Sequence, residues 1–159
     1  MNISILLLAV ILVALVFDFL NGFHDSANAI ATIVVTRTLT PFQAVILAGL
    51  ANCFGYFTMG TAIAKTIGKG VVHINLIPAE CILPLLFSAL LGAVLWNIIT
   101  WLFGLPSSSS HALIGGLIGS AIVAVGPKAV VIGSLFSGGI IQILAFIVIA
   151  PLIGFAGSA

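Results

Sequence analysis

The composition of this chain is that of a protein embedded in a membrane. Its 159 residues are 62% hydrophobic and 4% charged, with a formal net charge of +1 at pH 7. Soluble domains carry about 25% charged residues, so a soluble enzyme or binding domain is excluded, and the lack of a basic run argues against a nucleic-acid partner. Lipid offers no hydrogen-bond partners to the backbone groups at an open sheet edge, and the apolar runs lack the alternation of polar and apolar residues that a β-barrel needs. The sequence therefore predicts an all-α integral membrane protein.

Six helical segments are predicted in chain order, within a single membrane domain that covers residues 1–159. They are a span at about 3–21, a shorter helix at 25–36, spans at 41–64 and 79–103, a short helix at 107–124 and a span at 129–151. Gly and Pro residues near their limits are expected to start and end them. The segments 25–36 and 107–124 are too short to cross a bilayer and begin with polar clusters. Both are therefore interpreted as half-helices that follow a break.

The first polar cluster is NGFHDSANAIAT, from Asn21 to Thr32. Together with Asp18 it places acidic side chains near an apolar run, where each Asp costs about 2.5–3.5 kcal/mol at the bilayer centre. One interpretation is an interfacial loop in which Asp25 caps the next helix. The other is that Asp25 and Asn28, three residues apart on one helix face, bind a coupling cation.

The second polar cluster is PSSSSHALIGG, from Pro106 to Gly116. Hydroxyl groups stand where the first amides of a new helix lack acceptors, and this arrangement favours an anion. The sequence therefore predicts substrate binding by Ser107, Ser108, Ser109, Ser110 and His111. A serine-rich cap at the membrane surface is the alternative, and His111 is either a proton carrier, a ligand or a packing residue.

The two clusters together favour a secondary transporter, because such proteins build anion and cation sites from broken helices near the midplane. An intramembrane serine hydrolase is disfavoured, since Ser110 and His111 are adjacent and point about 100° apart on a helix. The sequence also lacks a Gly-x-Ser-x-Gly elbow. We therefore expect no catalytic residues and no bound metal or other cofactor, while an anion channel and a non-catalytic membrane subunit stay open.

At these residues the chain resembles the inorganic phosphate transporter family. NGFHDSANAIAT and PSSSSHALIGGLIG look like the two signatures of that family, and AIAKTIGKGVV fits the segment between them. The resemblance implies a multi-pass protein of the plasma or inner membrane, built from two inverted repeats, that moves phosphate with sodium ions or protons. Since each signature occurs once here, the chain looks like the amino-terminal repeat, and a second repeat or a second copy would complete the transporter.

The resemblance leaves the transported ions open. The family includes a sulfate permease, so sulfate or another oxyanion is an alternative substrate. Sodium-coupled members tend to carry a glutamate where Asn52 aligns, and this departure favours protons or a metal–phosphate complex. The cationic residues all lie at predicted helix ends, so a cotransported cation would balance the charge of a buried phosphate. They are Arg37, Lys65, Lys69 and Lys128.

Overall fold

The structure is a computed structural model that describes residues 3–59, 70–105, 107–134 and 138–157. This part of the chain contains α1 (Ile3–Val35), α2 (Pro41–Met59), α3 (Ala79–Leu102), α4 (Ser109–Val125) and α5 (Ile140–Gly157). Within the same ranges the only β-type pairings are two isolated bridges, Val72 with Val130 and Ser134 with Gly138. The prediction of an all-helical protein is confirmed.

Three of these helices, α1, α3 and α5, are long and apolar enough to cross a membrane. At 1.5 Å per residue, the 33 residues of α1 reach about 50 Å, more than the hydrocarbon core of about 30 Å. α4 is apolar but has only 17 residues. Large apolar side chains such as Leu15 and Phe155 are exposed, as expected for surfaces that lipid or another membrane segment covers.

The predicted break between residues 21 and 25 is wrong, because α1 continues through this segment without interruption. Gly22 by itself costs a helix only about 1 kcal/mol, and no proline accompanies it. The Ser26 hydroxyl donates to the carbonyl of Phe23 at 3.0 Å, so this polar side chain is satisfied within the helix. The first half-helix does not exist, and Asp25 lies inside a helix where it caps nothing.

The second predicted break is present. Gly104 has a φ of 63°, and the amide of Leu105 donates to the carbonyl of Thr100 at 2.8 Å, a pattern that closes the carboxyl end of α3. Pro106 lies outside the described residues, and α4 begins at Ser109 after a cap at Ser108. The short helix predicted at 107–124 is therefore confirmed within two residues.

Two other predicted helix boundaries are the start of the last span and the end of the span at 41–64. The span predicted at 129–151 starts only at Ile140, because Gly133, Gly138 and Gly139 have φ values of 64°, 86° and 88°, which lie outside the helical region. The predicted end of the 41–64 span falls outside the described residues. α2 is seen as far as Met59.

α3 and α4 form an antiparallel hairpin, and α1 packs beside α3 in the parallel direction. Ser88 and Ser120 share a hydrogen bond of 2.9 Å near one end of the hairpin, while Trp96 donates to Ser107 at 3.1 Å near the other. Phe23 of α1 meets Trp101 of α3 edge to face, with ring centroids 5.8 Å apart. These contacts fix the register of the three helices.

The three helices meet in an apolar cluster that we call the three-helix junction. It contains Phe17 of α1, Ala93 and Val94 of α3, and Ala112 and Leu113 of α4. A second apolar cluster, around Leu85 and Ala121, lies toward the other end of the α3–α4 hairpin. The three-helix junction brings α1, which contains the first polar signature, against the part of α4 that contains the second.

Candidate functional site

A pocket of about 630 Å³, which we call the serine pocket, opens between α3 and α4. Ser107, Ser108 and His111 form its polar wall, and Trp96 stands opposite on α3. The rest of the lining is small: Gly92, Ala112, Gly115 and Gly116. Three of the five predicted substrate residues therefore line one pocket.

The sequence positions these hydroxyls through local hydrogen bonds. Ser108 has extended backbone angles and caps α4, its Oγ accepting from the amide of His111 at 3.4 Å. Ser107 Oγ accepts from Nε1 of Trp96 at 3.1 Å. Because each hydroxyl acts here as an acceptor, its own proton is available for donation to an anion.

The other two predicted serines do not present their side chains to the serine pocket. Ser109 is 2% exposed and turns its side chain into the protein, whereas Ser110 is exposed and does not line the pocket. Both residues still contribute amides to the first turn of α4, where the helix dipole is positive and intrahelical acceptors are missing. Ser109 and Ser110 thus belong to this region through their backbone.

A second pocket of about 530 Å³, which we call the α1 pocket, lies between α1 and the carboxyl end of α3. Its polar lining includes His24, Ser26 and Asn28 from the first signature and Ser107 from the second. Ser107 also lines the serine pocket, so the two pockets share a wall. The structure therefore brings the two signatures together, although they lie far apart in the sequence.

Asp25 is placed differently from its predicted partner. It is exposed on α1 and does not line the α1 pocket, while Asn28 does. Asp25 and Asn28 are separated by about 60° around the helix, at 100° per residue, so they face broadly the same side. Asn28 faces the pocket that the described residues form, and Asp25 faces outward from them.

Two residues of the site were missed from the sequence. Trp96 donates to Ser107, and His24 lines the α1 pocket one turn before Asn28. His24 could have been found from its spacing of four from Asn28 on one helix face. Trp96 carried no such signal, because its role depends on how α3 and α4 pack.

The charges around the pockets are sparse. Arg37 and Lys128, the basic residues within the described ranges, line neither pocket. The same part of the chain contains no group of three His, Cys, Asp or Glu side chains that could hold a metal ion. An anion in the serine pocket would thus meet hydroxyls, amides, a helix dipole and the His111 ring, but no lysine or arginine.

A multi-pass helical membrane protein with hydroxyl-lined pockets at a helix junction has the architecture of a membrane transport protein. Comparison with known sequences identifies the family of transport proteins. Residues 21–159 match the phosphate transporter family, and the chain belongs to that family. The family consists of transporters rather than enzymes, as the sequence predicts, and the expectation of a multi-pass protein of a membrane that in bacteria is the inner membrane is confirmed.

The similar proteins are longer than this chain. A probable low-affinity inorganic phosphate transporter of Mycobacterium bovis is 45% identical over 159 residues, which are 99% of this chain and 37% of that protein. Its counterpart in Bacillus subtilis is 45% identical over 151 residues, 95% of this chain and 43% of that protein. PitB of Escherichia coli, a low-affinity inorganic phosphate transporter, is 35% identical over 95% of this chain and 31% of its own length. The chain therefore spans less than half of each of these relatives.

A solved structure supports the same fold. The structure, described as the sodium-dependent phosphate transporter, matches 80% of this chain and 32% of its own chain, with a TM-score of 0.73 and 33% identity. The helical architecture is therefore that of a known transporter.

Proposed function

We propose that this chain forms one repeat of a secondary transporter that moves inorganic phosphate across the membrane in symport with a cation. The observation that carries the proposal is the shared wall at Ser107, which joins the serine pocket to the α1 pocket that contains Asn28. An anion and a cation held in these neighbouring pockets would attract each other strongly at low dielectric. The names of the relatives support phosphate as the anion.

Phosphate would bind through hydroxyls and amides. Ser107 and Ser108 donate their hydroxyl protons, and the amides of Ser109 and Ser110 at the start of α4 point toward the same end. His111 borders the pocket and can donate or accept a hydrogen bond. This assignment keeps all five predicted residues but gives Ser109 and Ser110 a backbone role.

The coupling cation would lie at Asn28 and Asp25. No lysine or arginine of the described residues lines either pocket, so a buried phosphate needs another positive charge. An amide oxygen and a carboxylate on one side of α1 are suitable ligands for sodium and, at Asp25, a suitable proton acceptor. The similar solved structure is named as sodium-dependent, which supports sodium, whereas Asn52 at a position where sodium-coupled members tend to carry glutamate favours a proton.

A second repeat or a second copy of the chain would complete the site. Asp25 is exposed on α1, and alternating access requires one repeat to move against another around a shared site. We therefore expect liposomes that contain the monomeric chain alone to show no exchange of labelled phosphate. Exchange at a rate proportional to the amount of monomer would contradict this expectation.

The test of phosphate binding compares serines that line the serine pocket with a serine outside it. In a complete two-repeat transporter that carries this sequence as its first repeat, the double variant Ser107→Ala, Ser108→Ala should raise the half-saturating phosphate concentration. A lost hydrogen bond to a charged group costs about 1.5–3 kcal/mol, or roughly 10- to 150-fold in affinity. Ser110→Ala is the matched control, because its side chain is exposed and outside the pocket.

Equal affinities in the double variant and the control would reject the direct contact. Competition by sulfate in the same assay separates a phosphate transporter from a general oxyanion permease. If sulfate displaces phosphate at equal concentration, the substrate is the wider class of tetrahedral oxyanions.

The test of cation coupling is Asp25→Asn, which removes the charge with little change in size. Since Asp25 lies inside α1 and caps nothing, a structural role predicts near wild-type uptake. A coupling role predicts that gradient-driven phosphate accumulation is lost while the amount of protein in the membrane stays normal. Uptake is measured at matched surface expression, and near wild-type accumulation would remove Asp25 from the mechanism.

A further inference from the structure

A cavity of about 170 Å³, which we call the apolar cavity, lies at the end of the α3–α4 hairpin away from the serine pocket. Its lining side chains are all hydrophobic: Val72, Ile74, Ile77, Ile82, Leu85, Leu86 and Leu117. A cavity of about 150 Å³ with such a lining accepts benzene, whereas a water molecule needs polar partners that these side chains do not offer. The apolar cavity therefore suits a hydrocarbon group of about six carbon atoms.

The wall of the apolar cavity that lies outside the helices is held in place by backbone hydrogen bonds. This wall belongs to residues 71–77, which precede α3. The amide of His73 donates to the carbonyl of Ala129 at 2.7 Å, and the amide of Val131 donates to the carbonyl of Val71 at 3.0 Å. The segment before α3 is thus fixed to the segment after α4, and the apolar cavity is a feature of the fold.

A polar pocket of about 350 Å³, which we call the loop pocket, adjoins the apolar cavity. It is lined by Val72, His73, Ile74 and Asn75. Val72 and Ile74 line the apolar cavity as well, so the two spaces share a wall. A molecule with one polar and one hydrocarbon part would find a suitable surface for each part side by side.

The level of the two spaces along α3 corresponds to the boundary between lipid headgroups and hydrocarbon. The 24 residues of α3 reach about 36 Å, slightly more than the hydrocarbon core of about 30 Å, so its start lies near this boundary. Glu80 and Lys128 are exposed charged residues at the same end of the hairpin. Ile82 and Leu86 lie about 5 and 10 Å further along the axis of α3 than Ala79. The loop pocket therefore lies at headgroup level, and the apolar cavity lies in the outer part of the hydrocarbon.

We propose that the apolar cavity and the loop pocket bind one phospholipid molecule of the membrane, with the first carbons of an acyl chain in the cavity and the phosphate group at the loop pocket. His73 and Asn75 supply N–H donors for the phosphate oxygens. Ile82, Leu86 and Leu117 are half-buried, so the cavity is not sealed from the bilayer and the rest of the acyl chain continues into it.

The charges at this end of the hairpin fit recognition of the phosphate rather than of a particular headgroup. Lys128 attracts an anion and Glu80 repels it, so the two exposed charges largely offset each other. The phosphate that neutral and anionic phospholipids share is then the group that the donors bind. The site shares no lining residue with the serine pocket, and it does not rest on the proposed function.

The test is photolabelling of the purified chain by a phospholipid that carries a diazirine at about the sixth carbon of one acyl chain. The chain is kept in a detergent whose rigid sterol tail is too bulky for the apolar cavity, and labelled peptides are identified by mass spectrometry. We expect labelling that reaches a plateau with lipid concentration and concentrates on residues 72–86 and near Leu117. A diacylglycerol with the same photoreactive chain but no phosphate should label these residues more weakly.

Two kinds of variant separate the acyl chain from the phosphate. Leu86→Phe reduces the volume of the apolar cavity and should lower the labelling severalfold, and Leu117→Phe should do the same from α4. Leu91→Phe is the matched control, because it adds the same ring on the exposed side of α3 and should label like the wild type. The double variant His73→Ala, Asn75→Ala should label equally with phospholipid and diacylglycerol.

Three results would overturn the proposal. One is labelling of the wild-type chain that spreads evenly over exposed helices such as α5, which would indicate ordinary contact with surrounding lipid. Another is labelling that survives in both Leu86→Phe and Leu117→Phe, or a wild-type chain that does not distinguish phospholipid from diacylglycerol. The third is loss of the labelling in a complete two-repeat transporter, which would show that protein rather than lipid covers this end of the hairpin.

Discussion

Gly116 is the position where α4 comes closest to α3. A Cβ atom added at Gly116 would overlap the carbonyl oxygen of Ala89 and lie 3.1 Å from its carbonyl carbon and 3.2 Å from its Cα. These are backbone atoms of a helix, so no change of rotamer relieves the overlap. Gly116→Ala must therefore push α4 away from α3.

The change in the free energy of unfolding caused by Gly116→Ala is the sum of two opposing contributions. Overpacking of a close contact costs about 1–3 kcal/mol, while replacing glycine by alanine in a helix returns about 1 kcal/mol. Gly119→Ala is the matched control, since it lies on the same helix and a Cβ there meets nothing within 4 Å. Its net effect should be stabilising by up to about 1 kcal/mol. We expect the two variants to differ by about 1–3 kcal/mol, which is roughly 5- to 150-fold in the folding equilibrium.

The assay is thermal unfolding of the two variants in detergent, followed by circular dichroism. Gly116→Ala should unfold at a lower temperature than Gly119→Ala, and equal midpoints would refute the close approach of the two helices. Because Gly116 also lines the serine pocket, the same variant in a complete transporter should bind phosphate more weakly than Gly119→Ala does. Unchanged affinity would mean that the movement of α4 does not reach the hydroxyls.

Variants at three further positions test the construction of the serine pocket. Trp96→Phe keeps an aromatic ring but loses the 3.1 Å hydrogen bond to Ser107. The loss of this hydrogen bond costs about 0.5–1.5 kcal/mol, so the half-saturating phosphate concentration should rise roughly 2- to 10-fold. Wild-type uptake kinetics would contradict this expectation. Ser108→Ala removes the cap on the amide of His111 and should lower the free energy of unfolding by about 1 kcal/mol. Ser108→Asp should restore the unfolding midpoint, because Asp also caps a helix, but it should not restore phosphate affinity, because its charge repels the anion. Ser120→Ala removes a hydrogen bond between α3 and α4 away from the pocket, so it should lower the midpoint and leave phosphate affinity unchanged.

The parts of the fold that could be predicted are those that depend on local chemistry. The end of α3 follows from Gly104, whose positive φ is available to glycine at little cost, and the start of α4 follows from a serine that caps its own helix. The all-helical class follows from the missing hydrogen-bond partners in lipid. Each of these features is decided within a few residues of chain.

The continuity of α1 could not be predicted from its polar residues. Polar side chains between Asn21 and Asn28 indicate that a helix does not face lipid on all sides, but they do not break its backbone hydrogen bonds. Ser26 bonds within the helix, and Gly22 has no proline beside it. Polarity alone is therefore not evidence of a break, because backbone chemistry decides where a helix is interrupted.

The part of the site that depends on packing was also beyond the sequence. Ser107, Ser108 and His111 line one pocket as their signature suggests, yet the orientation of Ser109 and Ser110 depends on where α4 meets α3. The donor from Trp96 exists only because the hairpin register places it opposite Ser107. Binding of phosphate and of a coupling cation at these residues stays a prediction.

A continuous α1 explains how polar groups enter the bundle without a broken helix. Phe17, Asn21, His24 and Asn28 follow one another at spacings of four, three and four residues, which is the stripe that one face of a helix presents to its neighbours. Phe17 is buried in the three-helix junction, Asn21 and His24 are half-buried, and Asn28 lines the α1 pocket. The stripe therefore leads from an apolar contact, past an enclosed polar group, to an open pocket within a few turns. Of the two polar signatures, the one at the α3–α4 connection accompanies a helix break among the described residues, and the free amides there suit the anion that we propose, whereas the α1 stripe contributes side chains alone.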